Sequence, residues 1–400
     1  MSDCMHKTMT TEAIQWVISI VVGGLMVTTI WKAALGGQPP IRMGASLSYS
    51  GKYAEPSEMI RRGYELWVDQ INSRGGLLGR MVKLTIYDDH SELAKVRAHY
   101  RTLLEKDRVD LLLSPCGSPA TLVASELAEQ RAMVMIACAA ASETVYNRGF
   151  QYLFGLYSSA DRYCIGFLDL LARNGLNRAA IVYEHSPFHE SIYQGFRRWA
   201  DVFDIDVAGM LGFPTTEPDF ASIIAALEDR APDALVFSSY PPEGYAFLHA
   251  LQQHGYRPGA LFMTITSILP EFYLKVGAFA EGIFGPSQWE PIESIPFPGS
   301  KQFVHDFIQE TGRRPSYHAS AAYTACRILE HAVETTGSLD HHKLRDYIAR
   351  LNTVTIIGRF KVDQMGNQVG HNPVLIQWQN GRKEIVYPTK MKTAEPILGP

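Results

Sequence analysis

The sequence predicts an α/β protein of two lobes, each a mainly parallel sheet flanked by helices, and three observations lead there. From Ile41 onward, short apolar runs alternate with amphipathic stretches, the pattern of βαβ units. The alternation comes in two successive series that meet near Phe154–Tyr157, with no low-complexity tether between them. The chain has 400 residues, 46% hydrophobic and 20% charged, enough to bury two cores without metal or disulfide staples. Disorder is excluded, and a net charge of -4 with no basic block excludes nucleic acid as a partner.

In the first series, IRMGASL (41–47) reads as a buried strand and Ser57–Ser73 as a helix, with Met59, Ile60, Trp67 and Ile71 at helical spacing. The helix is stopped by Asn72-Ser73-Arg74-Gly75-Gly76. Val82–Tyr87, Asp110–Leu113 and Met133–Ala137 read as strands separated by helices at Leu93–Lys106 and Thr121–Gln130. The second series predicts helices at Asp161–Arg173, Ser191–Phe203, 219–229 and Gly244–His254, with strands at 179–184, 206–211, 234–239 and 260–264. Helices near 300–311, 319–336 and 340–350 follow, then strands at Gly358–Val362 and 374–378. Two such lobes imply a cleft faced by strand C-termini and helix N-termini, where open α/β sheets bind ligands.

The amino terminus differs. Trp16–Trp31 carries no charge, follows a short polar segment containing Lys7, and reads either as an export signal cleaved after Ala34-Leu35-Gly36 or as an uncleaved membrane anchor. Pro39-Pro40 separates it from the rest, which should lie outside the cytoplasm. Cys116, Cys138, Cys164 and Cys326 form no C-x-x-C pair; a Cys116–Cys138 bridge is conceivable, and four buried free thiols are the plainer expectation.

No catalytic signature is present. GASLSYSGK (44–52) separates its glycines by six residues and has Tyr53 where a phosphate loop needs Ser or Thr. No G-x-G-x-x-G follows the first strand, and G-x-S-x-G and H-E-x-x-H are missing. No cofactor and no metal are expected. Asp88-Asp89-His90 reads as helix capping rather than metal ligation, His341-His342 as solvated surface, and His185 and His189 as flanking a turn at the cleft edge. More informative are small polar clusters after consecutive strands: Ser48–Gly51, Gly117–Thr121 and Ala139–Ser142. Small side chains there let an anionic group approach backbone N–H groups at a helix start, while Phe188, Tyr240 and Tyr245 offer aromatic walls.

Together, IRMGASLSYSGKYA (41–54), VDQINSRGGLLGRMVKLTIYDDHSE (68–92), FGPSQWEP (284–291) and GRFKVDQMGNQVGHNPVLIQWQNGRKEI (358–385) resemble the leucine/isoleucine/valine-type solute-binding receptors of ABC transporters, with the type I periplasmic-binding-protein fold. The resemblance spans Ile41 to about Tyr387. It implies two lobes joined by three crossovers, near Tyr157, Phe284–Ser287 and Arg359, that close on a small molecule and present it to ABC transporter permease subunits. The implied division is 1–40 as signal or anchor, 41–157 with 285–357 as one lobe, and 158–284 with 358–400 as the other. The alternative keeps the fold but makes the chain a membrane-anchored ligand sensor.

Carried onto this chain, the resemblance implies that Ser118 and the Ala139–Ser142 backbone hold a ligand carboxylate, with Ser50 nearby and Tyr157 at the first crossing. Ala141 stands where a threonine is usual, Phe188 replaces a usual tyrosine, and Tyr240 matches an aromatic of the second lobe. After Phe262-Met263, where amino-acid receptors carry a glutamate for the ligand ammonium, this chain reads Thr264-Ile265-Thr266. An unpaired buried ammonium costs several kcal/mol. The ligand therefore either lacks an α-ammonium, as aromatic or aliphatic acids and amides do, or uses Glu290, Glu184 or Asp161; Thr266 and Glu290 complete the expected site.

Overall fold

The computed structural model describes residues 38–292 and 297–399. The segment 16–31, with its signal-or-anchor reading, lies outside them, as does Cys4. No helix among the described residues is long and apolar enough to cross a membrane.

The first lobe is built on a three-stranded parallel sheet ordered β2-β1-β3, from β1 (Ile41–Leu47), β2 (Val82–Asp88) and β3 (Leu111–Leu112). A parallel pair, β4 (Met135–Ala137) and β5 (Leu153–Gly155), lies beyond it. Between these strands run α1 (Ala54–Ser73), α2 (Leu93–Glu105), α3 (Ser118–Gln130) and the short α4 (Glu143–Tyr146). The second lobe holds a seven-stranded sheet ordered β14-β13-β10-β9-β8-β6-β7. Its strands are β6 (Arg178–Glu184), β7 (Asp206–Phe213), β8 (Ala234–Ser238), β9 (Ala260–Met263), β10 (Phe284–Ser287), β13 (Val374–Gln379) and β14 (Arg382–Tyr387). Only β13 runs antiparallel to its neighbours β10 and β14; the remaining pairs are parallel. Helices α5 (Ile165–Arg173), α6 (Pro187–Val202), α7 (Phe220–Arg230), α8 (Pro241–His254) and α9 (Phe272–Val276) cover it. After β10 the chain returns as α10 (Ser300–Thr311), α11 (Tyr317–Thr336) and α12 (His341–Ile348), followed by the hairpin of β11 (Thr353–Thr355) and β12 (Gly358–Phe360).

Four helices that start three or more residues earlier than hydrophobic spacing predicts carry a proline in the first turn. Pro56 lies in α1, Pro119 in α3, Pro187 opens α6 and Pro241 opens α8, positions where a missing N–H breaks no hydrogen bond. The stretch expected as one helix from Asp161 is instead a 3-10 turn, Ala160–Arg162, and then α5. Strand β10 is paired with β13 along its whole length to Ser287, so it stays in the larger sheet beyond the expected 284/285 boundary. A boundary at 357/358 would likewise fall between the two paired strands of the β11–β12 hairpin.

Helix α11 lies close against α1 because Gly63 has no side chain; a Cβ there would be 2.3 Å from the Ala319 carbonyl oxygen. Next to it, fully buried Trp67 donates Nε1–H to Glu330 (2.7 Å), a carboxylate also held by Arg74 and Arg327. His341 is a correction to the sequence reading. It is half-buried, with Nδ1 accepting from the Val134 N–H (3.1 Å) and Nε2 beside the Asp110 carbonyl (3.0 Å), so it ties α12 to two strand ends. His342 meets Tyr152 Oη at 2.6 Å. The Asp89 carboxylate is buried and accepts from Ser46 Oγ, Ser48 Oγ and the Ser91 N–H, a loop-holding role.

Candidate functional site

Two buried glutamines join the crossing segments. Gln288 accepts from the Ser158 N–H (3.0 Å) and donates Nε2–H to the Ser158 carbonyl and Tyr163 Oη. Gln368 accepts from the N–H of Lys361 and Gly370 and bridges to Ser158 through a parallel β contact. Neutral amides satisfy the backbone at the junction without placing charge in it.

Against this junction lies a cavity of about 20 Å³ between the lobes, room for a single water. Its first-lobe wall is Pro56, Cys116, Gly117, Ser118, Ala139 and Ala141. Gly117 adopts φ 87°, and a Cβ there would meet Tyr240 Oη at 3.4 Å, so glycine both turns the chain into α3 and leaves room for the opposite wall. Ser118 Oγ accepts from the N–H groups of Ala141 (3.3 Å) and Ser142 (3.2 Å), leaving its own O–H free to donate. These are the donors an incoming carboxylate would compete for, at the positive end of α3. Phe188, Tyr240 and Ile265 come from the second lobe, and Tyr157, Tyr163, Tyr317 and His318 complete the enclosure.

Six expected residues thus converge: Ser118, Ala139, Ala141, Tyr157, Phe188 and Tyr240. Four do not line the cavity. Ser50 is exposed and its Oγ meets His90 Nδ1 at 3.0 Å. Ser142 turns its hydroxyl away to the Pro187 carbonyl (2.8 Å) and Ser191 Oγ (2.8 Å), fastening the first lobe to α6. Thr266 is buried in a 3-10 turn over Gly244, leaving Ile265 to face the cavity. Glu290 is buried and bound to Lys383 (2.7 Å). Tyr317 and His318 were not legible because they open a helix that follows the second crossing, far in sequence from the other wall residues.

All three candidate acids already have a basic partner, and none lines the cavity. Glu184 accepts from Lys52 (2.5 Å) across the cleft, Asp161 pairs with Arg198, and Glu290 pairs with Lys383. Lys52 also lies 3.5 Å from Glu243. Two more ion pairs span the lobes, Glu55–Lys275 (2.7 Å) and Arg313–Glu271. The four cysteines among the described residues are free and buried; Cys138 is held by Tyr64 Oη (3.0 Å) and Ser114 Oγ (3.3 Å), so the conceivable Cys116–Cys138 bridge is not formed. Burial pushes the Cys116 thiol up, which removes it as a nucleophile at neutral pH.

Burial also holds two histidines neutral. His318 is pushed down to about 3 by desolvation and then Lys383, and His189 is pushed well below its ordinary value by desolvation and then Lys52. His189 Nδ1 meets Ser238 Oγ at 2.8 Å, an engagement inside the second lobe rather than at the cleft edge. The unfolded chain protonates these rings near pH 6.5 and the folded one does not, so stability is unaffected above that value and falls below it. His318 should remove about 2 kcal/mol by about pH 5, and His189 acts in the same direction. Glu184, raised by burial, works in the opposite sense. Urea melts at about pH 7.5 and 5 should show a lower midpoint at acid pH, with His318→Gln recovering part of the drop; an unchanged drop would remove His318 from the account.

Two α/β lobes with an aromatic cavity between them are the architecture of a solute-binding receptor. The chain belongs to the periplasmic binding protein family, whose model matches residues 40–383. It is similar to the Leu/Ile/Val-binding protein homolog 8 of Brucella abortus (strain 2308), 23% identical over 391 residues that cover 94% of this chain and 96% of the relative. Among solved structures it resembles the branched-chain amino acid transporter substrate binding protein LivJ from Streptococcus pneumoniae in complex with isoleucine. The TM-score is 0.78 at 19% identity, covering 90% of this chain and 99% of that one. It also resembles an ABC transporter solute binding protein from Rhodopseudomonas palustris BisB5 in complex with 3,4-dihydroxy benzoic acid, TM-score 0.74 at 19% identity, covering 86% and 95%. Family membership implies a small-molecule ligand, ABC transporter partners and an extracytoplasmic location.

Proposed function

We propose that the protein is the extracytoplasmic receptor of an ABC importer and that it closes on a small aromatic or apolar carboxylic acid, or its amide, lacking an α-ammonium group. One observation carries this: Glu184, Asp161 and Glu290 each have a Lys or Arg partner, and the cavity wall contains no acid. An ammonium would have nothing to pair with, while Ser118 and the α3 N-terminus can hold a carboxylate and the aromatic walls a flat body. The Rhodopseudomonas receptor with its dihydroxybenzoic acid is a precedent for such a ligand in this fold.

In this reading Ser118, Ala139, Ala141, Tyr157, Phe188 and Tyr240 contact the ligand. The lobes divide as 41–157 with 285–357 and 158–284 with 358–400, adjusted so that the second crossing follows Ser287 and the third follows Phe360. Opening about the Gln288–Gln368 junction admits the ligand, and the closed form docks on the permease. A thermal-shift screen tests this. Benzoate-class acids or amides at about a hundredfold over Kd should stabilise the protein by about 2.7 kcal/mol, a shift of several degrees, and leucine should not. A shift with leucine and none with acids or amides would refute the reading.

A further inference from the structure

We infer that Tyr157 and His318 form a second hydrogen-bonding pole in the cavity, which selects ligands bearing an uncharged polar substituent, a hydroxyl or carbonyl, in addition to the carboxylate. The inference rests on the carboxylic-acid reading above and narrows its substrate class.

Tyr157 and His318 are each only 4% and 4% exposed, and both line the cavity. Yet Tyr157 Oη and His318 Nδ1 have no hydrogen-bond partner among the described residues. Buried hydroxyls and imidazoles are normally satisfied, because stripping their water without replacement is unfavourable. Their positions are fixed: the Tyr157 ring meets Tyr317 edge-on at 5.2 Å and His318 at 6.4 Å, and Tyr317 stacks on His318 at 4.3 Å. Tyr163, by contrast, already accepts from Gln288, and Phe188, Ile265 and Pro56 offer only apolar surface. Among the described residues that line the cavity, Tyr240 and Tyr317 also carry hydroxyls, but only Tyr157 and His318 leave a buried side-chain polar atom without a partner, so a polar substituent on the ligand finds its partners there.

The chemistry of the pole is neutral. Burial, with Lys383 nearby, keeps the imidazole uncharged, and Lys383 is itself occupied by Glu290. The Tyr157 phenol is likewise held in its protonated form by burial. A phenol and a neutral imidazole can each donate or accept, which suits a hydroxyl or carbonyl. They supply no charge to balance a second carboxylate or an ammonium.

Calorimetric titration of the full chain with benzoate and with 2-, 3- and 4-hydroxybenzoate tests the inference. At least one hydroxy isomer should bind about tenfold or more tightly than benzoate, the expected gain from satisfying buried partners. Tyr157→Phe, which keeps the ring and its packing, and His318→Leu should each shrink the ratio of hydroxybenzoate to benzoate affinity to within about threefold of unity, while His318→Gln keeps part of it. Hydroxy isomers all within about threefold of benzoate on the unaltered protein would overturn the inference. Equal weakening of benzoate and hydroxybenzoate by the variants would also overturn it, marking the two residues as packing or water-holding groups. If none of the four acids binds, the carboxylic-acid reading falls together with this one, whereas equal binding of all four leaves that reading standing.

Discussion

An Ile265→Glu variant is expected to lose benzoate-class acids by at least about a hundredfold at neutral pH, equivalent to about 2.7 kcal/mol. Ile265 is buried in the cavity wall, contributed by the second lobe after β9, in the stretch where amino-acid receptors carry their glutamate. A carboxylate placed there would have no cation partner from the existing set, since Lys52 and Lys383 are engaged with Glu184 and Glu290. It would repel a bound acid in a poorly solvated space, and the same charge would now welcome an ammonium. Calorimetry should therefore show acid binding lost and affinity for leucine gained. Benzoate affinity within about threefold of the unaltered protein would show that the ligand does not reach this wall.

The second large effect concerns stability. Trp67→Ala should destabilise the protein by about 4 kcal/mol, because it empties a fully buried indole site between α1 and α11. It also removes the Nε1–H that Glu330 accepts at 2.7 Å, although Arg74 and Arg327 still balance that carboxylate. Trp67→Phe should recover most of the packing and retain a loss of about 2 kcal/mol for the missing bond to a charged acceptor. Urea unfolding followed by circular dichroism reads both. Equal losses for the two variants would mean that the hydrogen bond, not the packing, dominates.

Much of the fold can be read from residue spacing, because each βαβ unit is local: apolar runs such as ALVFS (234–238) and helical faces such as Met59, Ile60 and Trp67 carry their own periodicity. What periodicity hides is position-specific backbone chemistry. Pro187 and Pro241 look like helix breakers in a window average yet are helix starters at the first turn. Pairings between distant segments are equally hidden: nothing local to His341 announces that Val134 and Asp110 will meet its ring.

The cavity divides along the same line. Ser118, Ala139 and Ala141 were legible because they follow strands, and Phe188 and Tyr240 because they stand at the starts of helices that do. Ser142 and Thr266 sit in the right loops but point elsewhere, a rotation that sequence neighbours cannot convey. Glu290 was read as a potential ligand group because its partner, Lys383, lies on a strand near the far end of the chain. Tyr317 and His318 depend on the return of the chain to the first lobe after β10, so only the assembled topology brings them to the wall.

The bridges Lys52–Glu184, Glu55–Lys275 and Arg313–Glu271 have a consequence for the milieu in which the receptor works. The latter two stand at the rim, where about 0.15 M electrolyte shortens the reach of charge to about 8 Å and brine shortens it further. If closure holds the cargo as proposed, the grip is expected to be firm in dilute water and to slacken as salts accumulate, with the sheltered Lys52 over the Tyr240 ring the last fastening to yield.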